Sequence, residues 1–196
     1  MRTKVTIFVS ALFTFVVINA LLWSDFSASA QAQATLLRRA SKASTVAISN
    51  DDRFVVMVNP DDDSISIFST ANDTRTAKLR TGTEPSAVVI HPDSQTAFVA
   101  NRADATVAKV QGIDTAQPTL SSTVEVGSEP TGLALSPSGA PLYVAEWAEG
   151  RISVIDTATM TVTATIDNPS NPRGVAVTNN GDANDADEYI IVPEFY

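Results

Sequence analysis

The chain has 196 residues, of which 44% are apolar, a formal net charge of −9 and no cysteine. The lack of cysteine excludes structural disulfides, cysteine–zinc sites, thiol nucleophiles, covalent c-type haem attachment and a lipid-modified cysteine. The acidic balance disfavours nucleic acids and anionic lipids as partners.

The first 30 residues have the three parts of a secretory signal peptide. Arg2 and Lys4 precede an apolar stretch at residues 5–23, and a segment of small residues follows up to Ala30. We expect cleavage after Ala30. The sequence therefore predicts an exported protein that is periplasmic, surface-bound or secreted.

Two other interpretations of the N-terminus stay open. The Ala-rich run also offers cleavage after Ala32 or Ala34, and the apolar stretch is nearly long enough to serve as an uncleaved membrane anchor. Removal of residues 1–30 leaves 11 basic and 21 acidic residues, a net charge of −10. Nothing in the remaining sequence predicts membrane insertion.

One pattern recurs along the rest of the chain: an apolar run that ends in a turn. Successive turns are 42, 45 and 42 residues apart, measured at Ser49, His91, Ser136 and Thr178. A period of about 40 to 50 residues is typical of propellers and solenoids, in which one unit cannot bury its apolar face alone.

Each unit contains four short extended runs separated by turn residues. Alternating, β-branched stretches such as Ile152-Ser153-Val154 predict strands, and breakers about every ten residues leave no room for a normal helix. Four antiparallel strands per unit form one blade of a β-propeller. Small residues such as Gly132 and Gly174 in the first run suit a crowded innermost strand. The predicted blades are residues 44–85, 86–130, 131–172 and 173–196, the last of them incomplete.

The second and third strands resemble the Tyr-Val-Thr-Asn β-propeller repeats. Phe98-Val99-Ala100-Asn101 and Tyr143-Val144-Ala145-Glu146 match the signature strand, and residues 152–159 match the strand after it. The first unit departs from the pattern at Met57-Val58-Asn59-Pro60. The resemblance implies a propeller related to the lactonase-like propellers, whose members are typically exported or surface proteins.

A strand count predicts an open ring. Residues 31–43 align with an outermost strand, which would complete the last blade and seal the ring. With three complete blades and two strands of a fourth, the total is 15 strands, and even a four-bladed ring needs about 16. The favoured interpretation is that the chain is the N-terminal part of a larger protein, and the alternative is that it closes with a second copy. We expect self-association through the unpaired blade edge.

The single histidine gives little support for catalysis. His91 occupies the turn position that Ser49, Ser136 and Thr178 fill elsewhere, so a turn role is favoured over a catalytic base. Without a second histidine or any cysteine, the sequence supports no nucleophilic triad and no three-histidine metal site. We therefore predict no catalytic residue, no metal site and no cofactor in this segment.

An acidic insertion of six residues lengthens the fourth unit. Asn180, Asp182 and Asn184 alternate like the start of a calcium loop, but the later bidentate glutamate of an EF-hand is absent. A solvated hairpin tip is the favoured interpretation, and a calcium loop is the alternative.

Two sets of loops should share one face of the ring, here called the loop face. One set enters each first strand, and the other joins each second strand to the third. A glutamate beside an aromatic residue in such loops suits a sugar, a peptide or a protein partner. In the other interpretation, Trp147 and Phe195 fold inward to plug the channel rim. The predicted ligand-binding residues are Arg102, Glu146, Trp147, Arg173, Glu194 and Phe195.

The sequence therefore predicts an all-β partial propeller that acts as an exported binding or scaffold module. The resemblance leaves two alternatives. The chain would be part of a lactonase-like hydrolase whose catalytic residues lie on other blades, or an accessory propeller of a larger redox or surface protein.

Overall fold

The computed structural model describes residues 41–42, 44–167, 169–182 and 184–194. These residues belong to the second of two units of the chain, Leu37–Tyr196. The predicted signal peptide, residues 1–30, and most of the predicted ring-closing strand, residues 31–43, lie outside the described residues and stay predictions.

Three four-stranded antiparallel sheets follow a short initial strand, β1 (Ser41–Lys42). Blade 1 consists of β2 (Val46–Ile48), β3 (Phe54–Asn59), β4 (Ser64–Ser69) and β5 (Thr74–Arg80). Blade 2 consists of β6 (Pro85–Ile90), β7 (Thr96–Asn101), β8 (Thr106–Gln111) and β9 (Thr119–Glu125). Blade 3 consists of β10 (Pro130–Leu135), β11 (Pro141–Glu146), β12 (Arg151–Asp156) and β13 (Thr161–Asp167).

A fourth sheet contains the first two strands of blade 4, β14 (Ala176–Val177) and β15 (Ile190–Ile191). Ser41–Lys42 adds to it by pairing with β14. The prediction of an all-β partial propeller with about three and a half blades is therefore confirmed. In the described part of the chain, no helix combines the length and the apolar character needed to cross a bilayer.

Equivalent hydrogen bonds close the first turn of every blade. The backbone N–H groups of Ser49, His91, Ser136 and Thr178 each donate to a carbonyl at the start of the second strand, at 2.8 to 3.0 Å. In blade 3 the acceptor, Pro141, lies five residues after the donor, whereas in blade 4 the acceptor, Tyr189, lies eleven residues after it. The six-residue insertion is therefore confined to this turn, and the repeat resumes after it.

The hydrophobic core lies between neighbouring blades, because each sheet alternates side chains toward its two neighbours. Val56 and Ile67 of blade 1 pack with Val88 and Val99 of blade 2, and all four are fully buried. Equivalent clusters join blade 2 to blade 3 and blade 3 to blade 4. Burial between sheets explains why a single unit of this sequence is not an independent fold.

The innermost strands of neighbouring blades also contact each other directly. Ser86 donates its hydroxyl to the carbonyl of Pro130 at 2.7 Å, and Thr131 donates to the carbonyl of Pro172 at 3.2 Å. One residue after Thr131, a Cβ on Gly132 would lie 2.7 Å from the Cα of Gly174. The small residues of the first strand are therefore needed where two backbones approach.

The two end blades expose apolar side chains. Val46 and Ile48 of blade 1 are 47% and 46% exposed, while Tyr189 and Ile191 of blade 4 are 75% and 57% exposed. The positions equivalent to Val46 and Ile48 in blades 2 and 3 are buried between sheets. The self-association that the sequence predicts remains a prediction, and these faces are where it would occur.

Gly132→Ala should lower the free energy of unfolding by about 1–3 kcal/mol, because the added methyl meets a backbone atom that cannot move aside. Gly174→Ala is the matched control, since a Cβ there would have Pro193 Cγ as its nearest neighbour, at 3.9 Å. Urea denaturation followed by circular dichroism measures both. Equal losses for the two variants would contradict the close approach of the inner strands.

Candidate functional site

Backbone hydrogen bonds join the two sets of loops at one end of the sheets. The N–H of Arg102 donates to the carbonyl of Glu84 at 2.9 Å, and the N–H of Trp147 donates to the carbonyl of Glu129 at 3.0 Å. Each bond links the loop after a second strand to the loop that enters the first strand of the same blade. Arg102 and Trp147 therefore occupy equivalent positions on the loop face of blades 2 and 3.

The loops that enter the first strands hold unusual backbone conformations. Glu84, Glu129 and Asn171 each precede a proline, and their φ angles are 51°, 55° and 46°. This left-handed region is uncommon for residues other than glycine. The same conformation recurs at the same place in blades 2, 3 and 4. It sets the direction in which each loop presents the side chain of this residue.

Arg102 forms an exposed ion pair with Glu84. Its Nη2 and Nε lie 2.8 and 3.1 Å from Glu84 Oε2, and the two side chains are 48% and 46% exposed. The hydrogen bonds that Arg102 donates to Glu84, together with the negative charge of Glu84, raise the pKa of Arg102, and the charge of Glu129 adds to the effect. The guanidinium therefore keeps its positive charge on a surface where Glu84 contacts it and Glu129 adds negative charge.

Glu146 has a different environment, because its side chain is fully buried. Its carboxylate accepts hydrogen bonds from Arg151 Nε at 2.5 Å, Ser153 Oγ at 2.5 Å and the N–H of Gly127 at 2.8 Å. The hydrogen bond from Arg151 to this carboxylate raises the pKa of Arg151. Of the predicted site residues, Glu146 thus lies beneath the loop face rather than on it.

Blades 1 and 2 carry asparagine at the position of Glu146, and blade 4 carries Glu194. Asn101 is fully buried and donates to the carbonyl of Thr81 at 3.0 Å and to Thr106 Oγ1 at 3.1 Å. Asn59 donates to two serine hydroxyls of the next strand. In the three complete blades, a polar group at the end of the second strand therefore holds the start of the third strand. In blades 2 and 3 it also holds the incoming loop.

Glycine lies directly over these buried polar groups. A Cβ on Gly82 would lie 2.5 Å from Asn101 Cγ, and a Cβ on Gly127 would overlap the carboxylate of Glu146. The loops can contact the buried groups only because these positions have no side chain.

Trp147 and Arg173 meet on the loop face. The Arg173 guanidinium carbon lies 4.4 Å from the centroid of the Trp147 ring, a distance typical of a cation–π contact. Trp147 is half-buried, whereas Arg173 is exposed. Arg173 occupies the position where Ser86 and Thr131 of the preceding blades contact the next inner strand. Blade 4 therefore carries a cation where blades 2 and 3 carry a hydroxyl.

The structure describes only part of the last predicted loop. Glu194 is exposed and follows β15 on the same side of the sheets as Trp147. Phe195 lies outside the described residues, so its predicted role stays a prediction. Arg102, Trp147, Arg173 and Glu194 all lie in the loops of one face, and Trp147 and Arg173 are in contact.

His91 packs in a turn at the boundary of blades 2 and 3. Its Nδ1 accepts a hydrogen bond from the N–H of Asp93 at 3.2 Å, and its ring lies edge-on to Phe98. A Cβ on Gly139 of the next blade would overlap the imidazole. These contacts fit the turn role that the sequence favours for His91.

The acidic insertion forms a chain of side-chain turns. Asn180, Asp182 and Asn184 each accept a hydrogen bond, through Oδ1, from the backbone N–H two residues later, at 2.8 to 3.3 Å. The side chain of Asp185 also accepts from the N–H of Ser138 in blade 3. Within the part of the chain that is described, no three His, Cys, Asp or Glu residues are grouped as metal ligands.

Comparison with known proteins identifies the family. A family model described as "Lactonase, 7-bladed beta-propeller" matches residues 71–179, which is more than half of the chain. The chain belongs to this lactonase family of seven-bladed β-propellers. A search of curated proteins found no match.

Solved structures that resemble this lactonase-family chain support the fold. Hydrazine synthase of Kuenenia stuttgartiensis has 21% identity and a TM-score of 0.62, over 82% of this chain and 52% of that one. A putative 6-phosphogluconolactonase of Bacteroides fragilis has 19% identity and a TM-score of 0.60, over 67% of this chain and 40% of that one. A putative 6-phosphogluconolactonase of Bacteroides uniformis has 16% identity and a TM-score of 0.60, over 76% and 46%. The chain thus spans about half of the length of these relatives.

The sequence did not assign a site role to Glu84 or Glu129. A Glu-Pro pair precedes the first strand of blades 2 and 3 at a spacing of 45 residues, equal to the local repeat. That recurrence at the loop face was the available signal. The pairing of Glu84 with Arg102 depends on how the two loops fold together, which the spacing does not specify.

Glu146→Ala should lower the free energy of unfolding by about 2–4 kcal/mol, because it leaves the N–H of Gly127 and the hydroxyl of Ser153 without their buried acceptor. Glu84→Ala, which removes an exposed carboxylate from a similar Glu–Arg pair, should cost no more than about 1 kcal/mol. Chemical denaturation of both variants tests this contrast. Similar losses would mean that the buried network does not hold the loop.

Proposed function

We propose that the chain is an exported propeller module whose loop face binds a ligand or protein partner. In this proposal the described residues perform no catalysis. The observation that supports it most directly is the contact of the exposed Arg173 guanidinium with the Trp147 ring at 4.4 Å. A cation and an aromatic surface held together on a loop form a surface suited to binding a ligand.

The chemistry of the loop face favours an anionic polar ligand such as a sugar acid. An indole ring provides an apolar surface for the face of a sugar, and a guanidinium binds a carboxylate or phosphate through two parallel hydrogen bonds. Arg102 adds a second guanidinium, whose carboxylate neighbours Glu84 and Glu129 can accept hydroxyl hydrogen bonds. The competing interpretation, in which the aromatic side chains only plug the channel rim, leaves the exposure of Arg173 without a role.

The enzyme alternative has its own support. The family is a lactonase family, and two of the similar structures are named as putative 6-phosphogluconolactonases. Because the chain spans about half of such relatives, a catalytic site would use residues on further blades. The other alternative is an accessory propeller of a larger redox or surface protein. Its support is the likeness to hydrazine synthase, which concerns the fold alone.

Two finer assignments belong to the same proposal. We assign the repeats to the Tyr-Val-Thr-Asn type, supported by the buried Asn101 that ends the strand Thr96–Asn101. We also propose export by the signal peptide at residues 1–30 and a periplasmic, surface or secreted location, supported by the sequence of that segment.

Tryptophan fluorescence tests the loop face directly. The chain has two tryptophans, so Trp23→Phe leaves Trp147 as the only emitter. Titration with gluconate and 6-phosphogluconate should change the Trp147 emission in a saturable manner, because the ligand displaces or orders Arg173. Arg173→Gln should weaken binding by about tenfold or more, since it removes a charge-assisted contact.

Arg53→Gln is the matched control, because Arg53 also lies over an aromatic ring, Phe54, but outside the loop face. It should leave the titration unchanged. A flat titration for both acids, or equal weakening by the control, would contradict a sugar-acid site. Hydrolysis of 6-phosphogluconolactone faster than the spontaneous reaction would favour the enzyme alternative.

A further inference from the structure

The outer strand of blade 1 is basic in an otherwise acidic chain. Arg75, Lys78 and Arg80 lie within six residues of β5, whereas the whole chain has 13 basic residues and a net charge of −9. In the sequence their spacing is three and then two residues, so they do not share a face by simple alternation.

A β-bulge brings the three cations into register. Between β4 and β5, Arg75 is paired with Phe68, Lys78 with Ser66 and Arg80 with Ser64. The register shifts at Ile67/Phe68, so the extra residue, Thr76, is absorbed by the bulge. The partners are every second residue of β4, and such residues point to one face at intervals of about 7 Å. The cations therefore form a straight row, here called the basic row.

The same positions in the other blades carry no cation. The register places Leu120, Thr123 and Glu125 at the equivalent positions of β9. It places Val162, Thr165 and Asp167 at those of β13. All three outer strands have the same bulge, so the fold does not require basic residues there. The basic row is a property of blade 1 alone among the three complete blades.

The basic row lies on a part of the blade that stays accessible when blades pack. The corresponding face of blade 2 is covered by blade 1, yet Leu120 is still 42% exposed, and Thr123 and Glu125 are exposed. Exposure of Arg75, Lys78 and Arg80 therefore does not depend on the open end of blade 1.

One carboxylate partly neutralises the row. Lys78 Nζ lies 2.5 Å from Asp62 Oδ2, and the side chain of Lys78 remains 44% exposed. Arg75 and Arg80 take part in none of the ion pairs found in the described part of the chain. The row together with Asp62 thus has an excess of two positive charges.

We propose that the basic row binds a linear polyanion, a polymer whose phosphate or carboxylate groups are close enough together to meet every cation of a row spaced at about 7 Å. Three cations in a line at strand spacing match such a repeat better than they match a single compact anion. Acidic residues more than about 8 Å from the row do not prevent this, because charges at that distance are largely screened at physiological ionic strength. This inference is independent of the proposed loop-face function and uses different residues.

The test uses the full chain with long-chain inorganic polyphosphate as the phosphate probe and poly-glutamate as the carboxylate probe. Arg75→Gln, Lys78→Gln and Arg80→Gln together should weaken polyphosphate binding about a hundredfold, from a typical contribution per cation beside a negatively charged surface. Arg53→Glu with Asn72→Asp is the matched control. It changes the net charge by the same three units on the same blade, and both residues are exposed and outside the row. Binding by the control should change less than about threefold.

A second variant tests whether the row is sufficient. Leu120→Arg, Thr123→Lys and Glu125→Arg rebuild the row on blade 2 and should raise the stoichiometry from one polyphosphate site to two. If the unmodified chain binds poly-glutamate more tightly than polyphosphate, carboxylates rather than phosphates are the natural groups. Equal weakening by the control, or equal affinity per phosphate for orthophosphate, would overturn the proposal. Binding to anionic vesicles without binding to polyphosphate would also overturn it.

Basic residues on an exposed strand also discourage strand-to-strand aggregation. If the triple variant self-associates but keeps its affinity for polyphosphate, the row protects the edge and the proposal is wrong. Sedimentation velocity of the variant, at the protein concentration used for binding, distinguishes these outcomes.

Discussion

The structure depends on a polar group at the end of the second strand in each complete blade. Three side chains at this position, Asn59, Asn101 and Glu146, hold the start of the third strand, and the last two also hold the loop that arrives from the preceding blade. Burial makes the bonds of Asn101 and Glu146 obligatory, because an unpaired polar atom in the interior is costly. Glycine above two of them is a consequence of the same contact. The neighbouring blade and the surface loop are thus fixed by one set of hydrogen bonds.

This constraint explains where the blades differ. The residues at interior positions are similar from blade to blade, since each side chain must pack within its own sheet and against the next sheet. Positions just outside the buried group vary freely: Arg102 and Trp147 occupy the same place in successive blades, and Arg173 stands where Ser86 and Thr131 stand. A repeated scaffold that fixes the backbone of each loop can therefore present unlike side chains next to one another. The contact of Trp147 with Arg173 arises in this way, from two blades.

The fold could be predicted from the sequence because its signals are local. The turn spacing, the alternation within strands and the breakers specify four strands per unit. The six-residue insertion was also visible, since the pattern resumes at Tyr189. The environments within the site could not be predicted equally well. Glu146 and Glu84 are both glutamates near an arginine, but only the packing of Gly127 and Ser153 around the first shows that it is buried. Trp147 and Arg173 are 26 residues apart, and their contact depends on the angle between two blades.

The bulge shared by the three outer strands has an evolutionary consequence. It keeps three outward positions aligned in every blade while separating them from the residues that face the core, such as Leu79 and Val124. Substitutions at the aligned positions can accumulate without a cost in packing, and a gene duplication copies the whole row with its blade. The outer strands of such a propeller can therefore change independently of one another. Each can gain or lose a charge pattern while the core between the blades stays the same.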